Sequence, residues 1–247
     1  MRWNLIGLWL ALALGVSAMG AARAEEPLTP QQKEAVESIV RDYLLAHPEV
    51  IRDALIELQR QQEQQQAAMR REAIAEAQEY AASLPEDFVK GDPKAEIAVI
   101  EFFDYRCPYC KAVAPRIDEV VKEDPAVRVV LIEFPILGEE SKYAARAAIA
   151  SRFQGKYMAF HDAMMGHKGN LTQETVLELA DDAGIDVEKL KEDIKSPEID
   201  ALIDRHYQLA DKLGVSGTPA FVIGQELVPG AIDAETMKAK IKQARQS

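Results

Sequence analysis

Residues 101–110 have the sequence EFFDYRCPYC, in which two cysteines separated by two residues follow a short apolar run. The run itself, residues 96–103, is rich in β-branched and aromatic residues, as buried strands are, and residues 111–122 have the apolar spacing of an amphipathic helix. Residues 127–134 form a second β-branched run. This order predicts a β-α-β unit with the cysteine pair at the junction of its first strand and its helix.

The predicted junction gives the two cysteines different chemistry. Cys107 lies at the N-terminus of the helix, where unpaired backbone N–H groups and the helix dipole stabilise a thiolate. Arg106 adds a positive charge beside it, and Pro108 and Tyr109 set how many donors reach the sulfur. We therefore expect Cys107 to attack disulfides and Cys110, one helical turn further, to resolve the mixed disulfide.

Glu101 lies in the apolar strand six residues before Cys107. A carboxylate buried there would be desolvated and its pKa raised, which suits a group that takes a proton from Cys110 during resolution. In an edge strand the same carboxylate would simply point at water. The motif alone leaves both interpretations open.

The second notable motif is GTPA at residues 217–220, which places Pro219 at the start of a later strand. A cis bond before this proline would leave the backbone of Thr218 free to pair with a substrate strand beside Cys107. Position alone does not establish such a bond, because only about 5 to 6 per cent of X–Pro bonds in folded proteins are cis.

The rest of the C-terminal part predicts a helical insert followed by a β-hairpin and a helix. Residues 139–213 contain several helical segments, broken at glycines and at Ser196-Pro197. Two short strands then flank the turn Gly224-Gln225, and residues 234–244 form a last helix. The predicted order is β-α-β, helical insert, β-β-α.

Residues 25–85 contain no glycine and are rich in Gln, Glu, Ala and Leu, which favours helix. Residues 29–32 predict a capping box with proline at the first helical position, and His47-Pro48 separates this helix from a longer one. The longer helix carries a narrow apolar stripe typical of coiled coils. We favour self-association over packing on the catalytic domain; a third interpretation is docking to another partner.

The N-terminus predicts export. Residues 1–24 combine Arg2, an apolar core at 5–19 and a small-x-small site at 22–24, as in a signal peptide that is removed. Both cysteines follow it and would reach a compartment where disulfides persist. The chain carries 29 basic and 41 acidic residues, a net charge of −12, which argues against nucleic acid and anionic membranes as partners.

Metal sites compete with redox chemistry as explanations of a cysteine pair. Structural zinc needs four ligands, and neither a second cysteine pair nor a closing histidine pattern is present. A soft thiolate pair would accept Cu(I), and Met158, His161 and Met164 could form a separate copper site, although core filling by methionine is the favoured interpretation. We expect no metal and no cofactor. A purely structural disulfide is disfavoured, because closing so small a loop would stabilise the folded state by only roughly 2 kcal/mol.

The motif at 101–110, the helical insert and GVSGTPAF at 214–221 resemble the DsbA-like branch of the thioredoxin superfamily. The resemblance implies an α/β thioredoxin fold with an inserted helical domain over residues 86–247, preceded by an N-terminal helical oligomerisation segment. It implies the following site: a nucleophile, a resolving cysteine, a buried acid and a cis-proline at Cys107, Cys110, Glu101 and Pro219, with substrate contacts at Thr218, Pro108 and Tyr109.

The leading segment, with HPEV at 47–50 and its Gln-rich helix, is similar to that of the suppressor-of-copper-sensitivity C proteins, in which such helices assemble trimers. Classical DsbA oxidases have His where this chain has Tyr109, and Val where it has Thr218. Thr there is similar to the isomerases. The resemblance therefore implies a trimeric periplasmic disulfide isomerase that acts on exported cysteine-containing proteins and is reset by a membrane redox partner. A dithiol oxidase and a copper-tolerance protein are the alternatives.

Overall fold

The computed structural model describes residues 28–246, so the predicted signal peptide lies outside the described residues. The chain divides into two compact units, one ending at Arg60 and the other beginning at Gln61. The described residues of the first unit, 28–60, are helical apart from short connections, and the second unit contains a sheet with helices on both faces.

Helix α1, Pro30–Ala46, begins at the predicted capping box. Thr29 Oγ1 accepts from the backbone N–H of Gln32 at 3.3 Å, and Gln32 Oε1 accepts from the N–H of Thr29 at 2.9 Å. His47 ends α1, and Pro48 opens α2, Pro48–Ser83. The predicted boundary at His47-Pro48 is confirmed.

The last part of α2 packs on the sheet. Its four buried residues are Ala73, Ile74, Ala77 and Ala81. They share a hydrophobic cluster with Ile100 and Phe102 of the central strand. The C-terminal end of the apolar stripe of α2 therefore packs within the chain, which for this part of the helix is the alternative to self-association.

The second unit contains a five-stranded sheet. Its strands are β1 Val89–Gly91, β2 Ile97–Phe103, β3 Val127–Glu133, β4 Ala220–Ile223 and β5 Glu226–Pro229, in the spatial order β1-β3-β2-β4-β5. β2 and β3 are parallel, and the other pairs are antiparallel. β1, which follows a 3-10 turn at Glu86–Phe88, is the one strand of the sheet that we did not predict from the sequence.

The helices of the second unit follow the predicted order. α3 is Pro108–Glu123; the insert comprises α4 Glu139–Ser151, α5 Tyr157–Gly166, α6 Gln173–Asp182, α7 Val187–Asp193 and α8 Pro197–Leu213; and α9 is Ala234–Ala244. Thr172 and Asp186 cap α6 and α7 through their side chains. In the part of the chain that the structure describes, no helix has both the length and the apolar character needed to cross a bilayer.

Strand β2 lies between β3 and β4, so it is not an edge strand, and apolar clusters cover both of its faces. Ile100 and Phe102 face the cluster with α2, whereas Val99 and Phe103 belong to the cluster with α3 and the insert. Side chains alternate along a strand, so Glu101 lies on the face of Val99 and Phe103. The edge-strand interpretation of Glu101 is therefore wrong.

The hairpin between β4 and β5 depends on Gly224, whose φ is +57°. A β-carbon there would lie 2.7 Å from Ala244 Cβ. We expect Gly224→Ala to lower the free energy of unfolding by about 1 to 3 kcal/mol, measured by thermal or urea denaturation. The control is Gln225→Ala at the exposed neighbouring position. Equal stability of the two variants would contradict the prediction.

Candidate active site

Cys107 is the N-cap residue of α3, and Pro108 occupies the first helical position. Strand β2 ends at Phe103, and the following turn is closed by a hydrogen bond from the backbone N–H of Cys107 to the carbonyl of Asp104 at 3.0 Å. Proline is well suited to the first position because no N–H is needed there. The sequence thus places the first cysteine where the free N–H groups of a helix converge, as predicted.

The two cysteines have opposite acidities. The hydrogen bond from the Cys110 side chain is the largest cause that lowers the pKa of Cys107 to about 5; the side chain of Thr218 and the backbone N–H groups of Cys110 and Tyr109 add to it, and burial opposes it. The same hydrogen bond, together with burial, raises the pKa of Cys110 far above its usual range. At neutral pH Cys107 is therefore a thiolate beside a Cys110 thiol.

Glu101 lies beneath this pair and is 2% exposed. Burial raises its pKa to about 8, and the positive charge of Lys90 acts in the opposite direction. Its charge in turn raises the pKa of Cys110. Within the described residues, its Oε1 atom has no hydrogen-bond partner. The arrangement provides a carboxyl group that can exchange a proton near neutral pH.

The loop before β4 forms the opposite wall of the site. The Thr218-Pro219 peptide bond is cis, and the carbonyl oxygen of Thr218 lies 3.2 Å from Cys107 Sγ, where it accepts a hydrogen bond when Cys107 is protonated. Pro108 and Tyr109 are exposed beside the sulfur, Tyr109 by 66%. The structure thus brings together all the residues that the sequence assigned to the site.

The positive charge of Arg106 does not act on the Cys107 sulfur as the sequence led us to expect. Its guanidinium pairs with Glu140 at 2.9 Å and donates to the carbonyl of Leu137 at 3.0 Å. Hydrogen bonds from Cys110, Thr218 and the helix N-terminus, rather than this charge, are the causes that lower the pKa of Cys107.

Asp104 is a site residue that the sequence reasoning missed. Its Oδ1 accepts from the N–H of Arg106 at 2.7 Å and from Ser141 Oγ at 2.8 Å, and its Oδ2 accepts from the N–H groups of Ile136 and Leu137 at 2.9 and 3.0 Å. It therefore joins the loop that carries Cys107 to the loop that follows β3. The available signal was an Asp immediately after a strand, which commonly bonds the backbone two residues on.

A second missed acid, Glu133, lies behind the same loop. Its Oε1 accepts from Tyr105 OH at 3.0 Å and from Tyr157 OH at 2.9 Å, and Tyr105 OH also hydrogen-bonds Nδ1 of His161 at 3.0 Å. Burial raises the pKa of Glu133 and lowers that of His161 to about 3. A carboxylate inside an apolar strand, the signal that singled out Glu101, was present here too.

Metal ligands are not grouped in the described part of the chain: residues 28–246 contain no cluster of three or more His, Cys, Asp or Glu side chains that could hold an ion. His161 and Met164 are buried in the core, and Met158 packs against it. This placement confirms the core-filling interpretation of these three residues.

The low pKa of Cys107 predicts how the thiol reacts with iodoacetamide. Because the thiolate is the reactive form, the alkylation rate should be flat from pH 8 to 6 and fall to half near pH 5, where the pKa lies. Cys110→Ala removes the main hydrogen-bond donor to the Cys107 sulfur and should raise the pH at which the alkylation rate is half its maximum. Cys110→Ser keeps a donor and should raise this pH less. Mass spectrometry over a pH series measures the rates. Equal midpoints in the three proteins would contradict the assignment.

The raised pKa of Glu101 predicts a pH-dependent gain in stability for Glu101→Gln. Between about 4.5 and 8 the folded protein holds a proton that the unfolded chain releases, so the wild type loses stability as pH rises through this window. The full effect is on the order of 4 kcal/mol. The free energy of unfolding of the variant should therefore exceed that of the wild type by more at pH 9 than at pH 5, as measured by denaturation at both pH values.

The control for this experiment is Glu96→Gln, which removes an exposed carboxylate just before the same strand. Its stability should follow that of the wild type at both pH values. If Glu101→Gln also ran parallel to the wild type, the carboxyl group would titrate normally and the argument from burial would fail.

Comparisons with known proteins agree with this geometry. The family described as DSBA-like thioredoxin domain matches residues 98–242, and the N-terminal domain of the copper resistance protein ScsC matches residues 32–65. The crystal structure of a thioredoxin-like oxidoreductase from Silicibacter pomeroyi DSS-3 is 42% identical and covers 67% of this chain and 99% of its own, with a TM-score of 0.63. A linker-deletion variant of ScsC from Proteus mirabilis is 25% identical over 90% of this chain and 99% of its own, with a TM-score of 0.65.

Curated relatives include longer proteins. The Na(+)/H(+) antiporter NhaA 3 of Salinispora tropica is 28% identical over 160 residues, which are 64% of this chain and 24% of the antiporter. The chain thus spans about a quarter of the length of such relatives. The family match covers more than half of the chain, including both cysteines and the cis-proline. By sequence and by the geometry of its site, the chain belongs to the DsbA-like thioredoxin-domain family.

Proposed function

We propose that the protein is a thiol-disulfide oxidoreductase of the periplasm, that it acts on exported cysteine-containing proteins, and that disulfide isomerisation is its main reaction. The observation that carries the proposal is the opposite acidity of the two cysteines, with Cys107 ionised and Cys110 protonated at neutral pH. Attack on a disulfide requires a thiolate, and later resolution requires a second sulfur held in reserve.

In the first step the Cys107 thiolate attacks one sulfur of a substrate disulfide. A mixed disulfide forms, the substrate S–S bond breaks, and the other substrate sulfur leaves as a thiolate. In isomerisation a different substrate thiolate attacks the substrate sulfur of the mixed disulfide. A new substrate disulfide forms, the bond to Cys107 breaks, and Cys107 is released as a thiolate. No net electrons are transferred, so the cysteine pair stays reduced.

Resolution by Cys110 is the escape from a mixed disulfide that does not rearrange. The Cys110 thiol loses its proton to the ionised form of Glu101 and attacks the Cys107 sulfur. The bond between Cys107 and the substrate breaks, and the substrate sulfur leaves as a thiolate, so the substrate is reduced. The Cys107–Cys110 disulfide that results needs two electrons from a redox partner at the membrane. The proton-acceptor role of Glu101 is supported by its burial and by a pKa of about 8.

We assign substrate contact to the residues around the sulfur. The carbonyl of Thr218 lies 3.2 Å from Cys107 Sγ, so a substrate strand that pairs with this backbone would bring its own sulfur to the nucleophile. Pro219 lies between Thr218 and the first residue of β4, and its ring restricts the backbone at that point. Pro108 and Tyr109 are exposed next to Cys107 and would contact the substrate through their side chains.

Isomerisation is favoured by the helical N-terminal segment. Its apolar side chains are exposed in the single chain: Val36, Ile39, Val40, Tyr43, Ile51, Leu55, Leu58 and Met69. Exposed apolar rows of this kind mark association surfaces, and the ScsC N-terminal domain matches the segment that carries most of this row. We propose a homotrimer that presents several nucleophiles to one misfolded substrate.

The test uses full-length chain with charges placed in the apolar row. Ile39→Asp with Leu55→Asp should reduce the mass measured by light scattering to that of a monomer. Refolding of scrambled ribonuclease should then slow by about tenfold, while oxidation of a dithiol peptide continues, because that reaction needs one site. Gln64→Asp, an exposed polar position of α2, is the matched control and should behave as the wild type.

Cys107→Ser should abolish both reactions. A wild-type protein that oxidised dithiols but did not refold scrambled ribonuclease would be an oxidase, and the isomerase proposal would be wrong. A monomeric double variant with full refolding activity would leave isomerisation intact and remove the trimer from its mechanism.

A further inference from the structure

A groove of about 650 Å³ runs between α3 and the C-terminal end of α5. Its walls include Arg106, Pro108 and Lys111 on one side and Met165, His167 and Lys168 on the other. Arg106 and Pro108 are the two neighbours of Cys107 in the chain. The groove therefore begins beside the nucleophile, on the wall formed by α3 rather than by the Thr218 loop.

The end of the groove nearest Cys107 is positively charged. Lys111 Nζ donates to the carbonyls of Met164 at 2.6 Å and His167 at 3.0 Å, which close the end of α5. Lys168 is exposed. Arg106 is paired with Glu140, but among residues 28–246 neither Lys111 nor Lys168 forms an ion pair with a carboxylate.

The far end of the groove has a different character. Asp118 and Asp162 lie there and share the ammonium group of Lys90, at 2.6 and 2.7 Å. Lys111 and Asp118 are seven residues apart on α3, which is about 10 Å along a helix axis. That length accommodates roughly three residues of extended chain. The groove is thus short and polarised, with Lys111 and Lys168 at the end nearer Cys107 and Asp118 and Asp162 at the other.

We propose that this groove binds the part of a client polypeptide that flanks its reactive cysteine, and that it selects segments with Asp or Glu close to that cysteine. This inference rests on the proposed thiol-disulfide exchange, since the mixed disulfide with Cys107 is what brings the segment to the groove. Charge complementarity identifies the occupant: in a chain of net charge −12, two ammonium groups near the nucleophile that no carboxylate of the described residues neutralises form a local site for carboxylates.

Lys168 is the residue on which the inference can be tested. Lys111 also caps the carbonyls at the end of α5, so its replacement would disturb the fold. Lys168 is exposed and follows the end of α5, and its replacement should leave the packing of α3 and α5 unchanged. Lys242, exposed on α9, offers the same change of charge outside the groove.

The experiment measures the reaction of reduced full-length protein with peptides whose single cysteine is activated as a disulfide with 2-thiopyridine. Cys107 attacks the peptide sulfur, the S–S bond breaks, and pyridine-2-thione is released and detected by its absorbance. The peptides differ only in the residue two positions before or after the cysteine, which is Glu, Gln or Lys. The quantity compared is the ratio of second-order rate constants, in which changes in the reactivity of Cys107 itself cancel.

At low ionic strength the wild type should react about three to five times faster with the Glu peptide than with the Gln peptide, and more slowly with the Lys peptide. Lys168→Glu should bring the Glu-to-Gln ratio to about one, Lys242→Glu should leave it unchanged, and 0.5 M salt should reduce it.

A wild-type ratio of one, with all peptides reacting, would overturn the groove proposal and leave the proposed function standing. Equal loss of the ratio in Lys168→Glu and Lys242→Glu would also overturn it, since the preference would then come from net charge. Failure of all peptides to react would overturn the proposed function itself.

Discussion

A hydrogen bond between two side chains, donated by Cys110 and accepted by Cys107, decides which cysteine carries the negative charge. The bond requires Cys107 at the N-cap of α3 and Cys110 one helical turn further along the helix. That arrangement in turn requires strand β2 to end just before the N-terminus of α3. The hydrogen bond with Cys107 and burial raise the pKa of Cys110, and the backbone hydrogen bond of Asp104, which lowers it, is the smaller effect. The sheet and the insert therefore serve to hold one sulfur in the dry interior and the other at its boundary.

The parts of the fold that the sequence predicts are those in which local pattern and tertiary packing agree. Strands β2 and β3 consist of β-branched and aromatic residues, and α3 has a clear apolar face because it packs on them. Caps such as Thr29 are equally local, since donor and acceptor lie three residues apart. The cysteine pair, the buried acid and the Thr218-Pro219 wall follow from motifs that the family resemblance identifies.

The features that the sequence does not predict depend on distant partners. Strand β1 has three residues, too few for a period, and it forms because β3 offers a free edge. The end of α2 is buried through small alanines, whose weak apolar pattern cannot distinguish packing on a sheet from packing on another helix. The carboxylate of Asp104 reaches partners more than thirty residues along the chain, at Ile136 and Ser141. Glu133, like Glu101, is a carboxylate inside an apolar strand, but no neighbouring motif indicates its role.

The insertion of α4 to α8 between the two halves of the sheet has a consequence for biosynthesis. Cys107 and the carbonyl of Thr218 are separated by 111 residues, so a chain that emerges N-terminus first presents its cysteine pair long before the opposite wall exists. During that interval Cys107 lacks the Thr218 side chain as a donor, and its sulfur is more basic and less shielded than in the finished protein. The enzyme's own cysteines are thus, for a time, ordinary thiols of a nascent polypeptide, open to the same oxidants as the cysteines of any other unfinished chain.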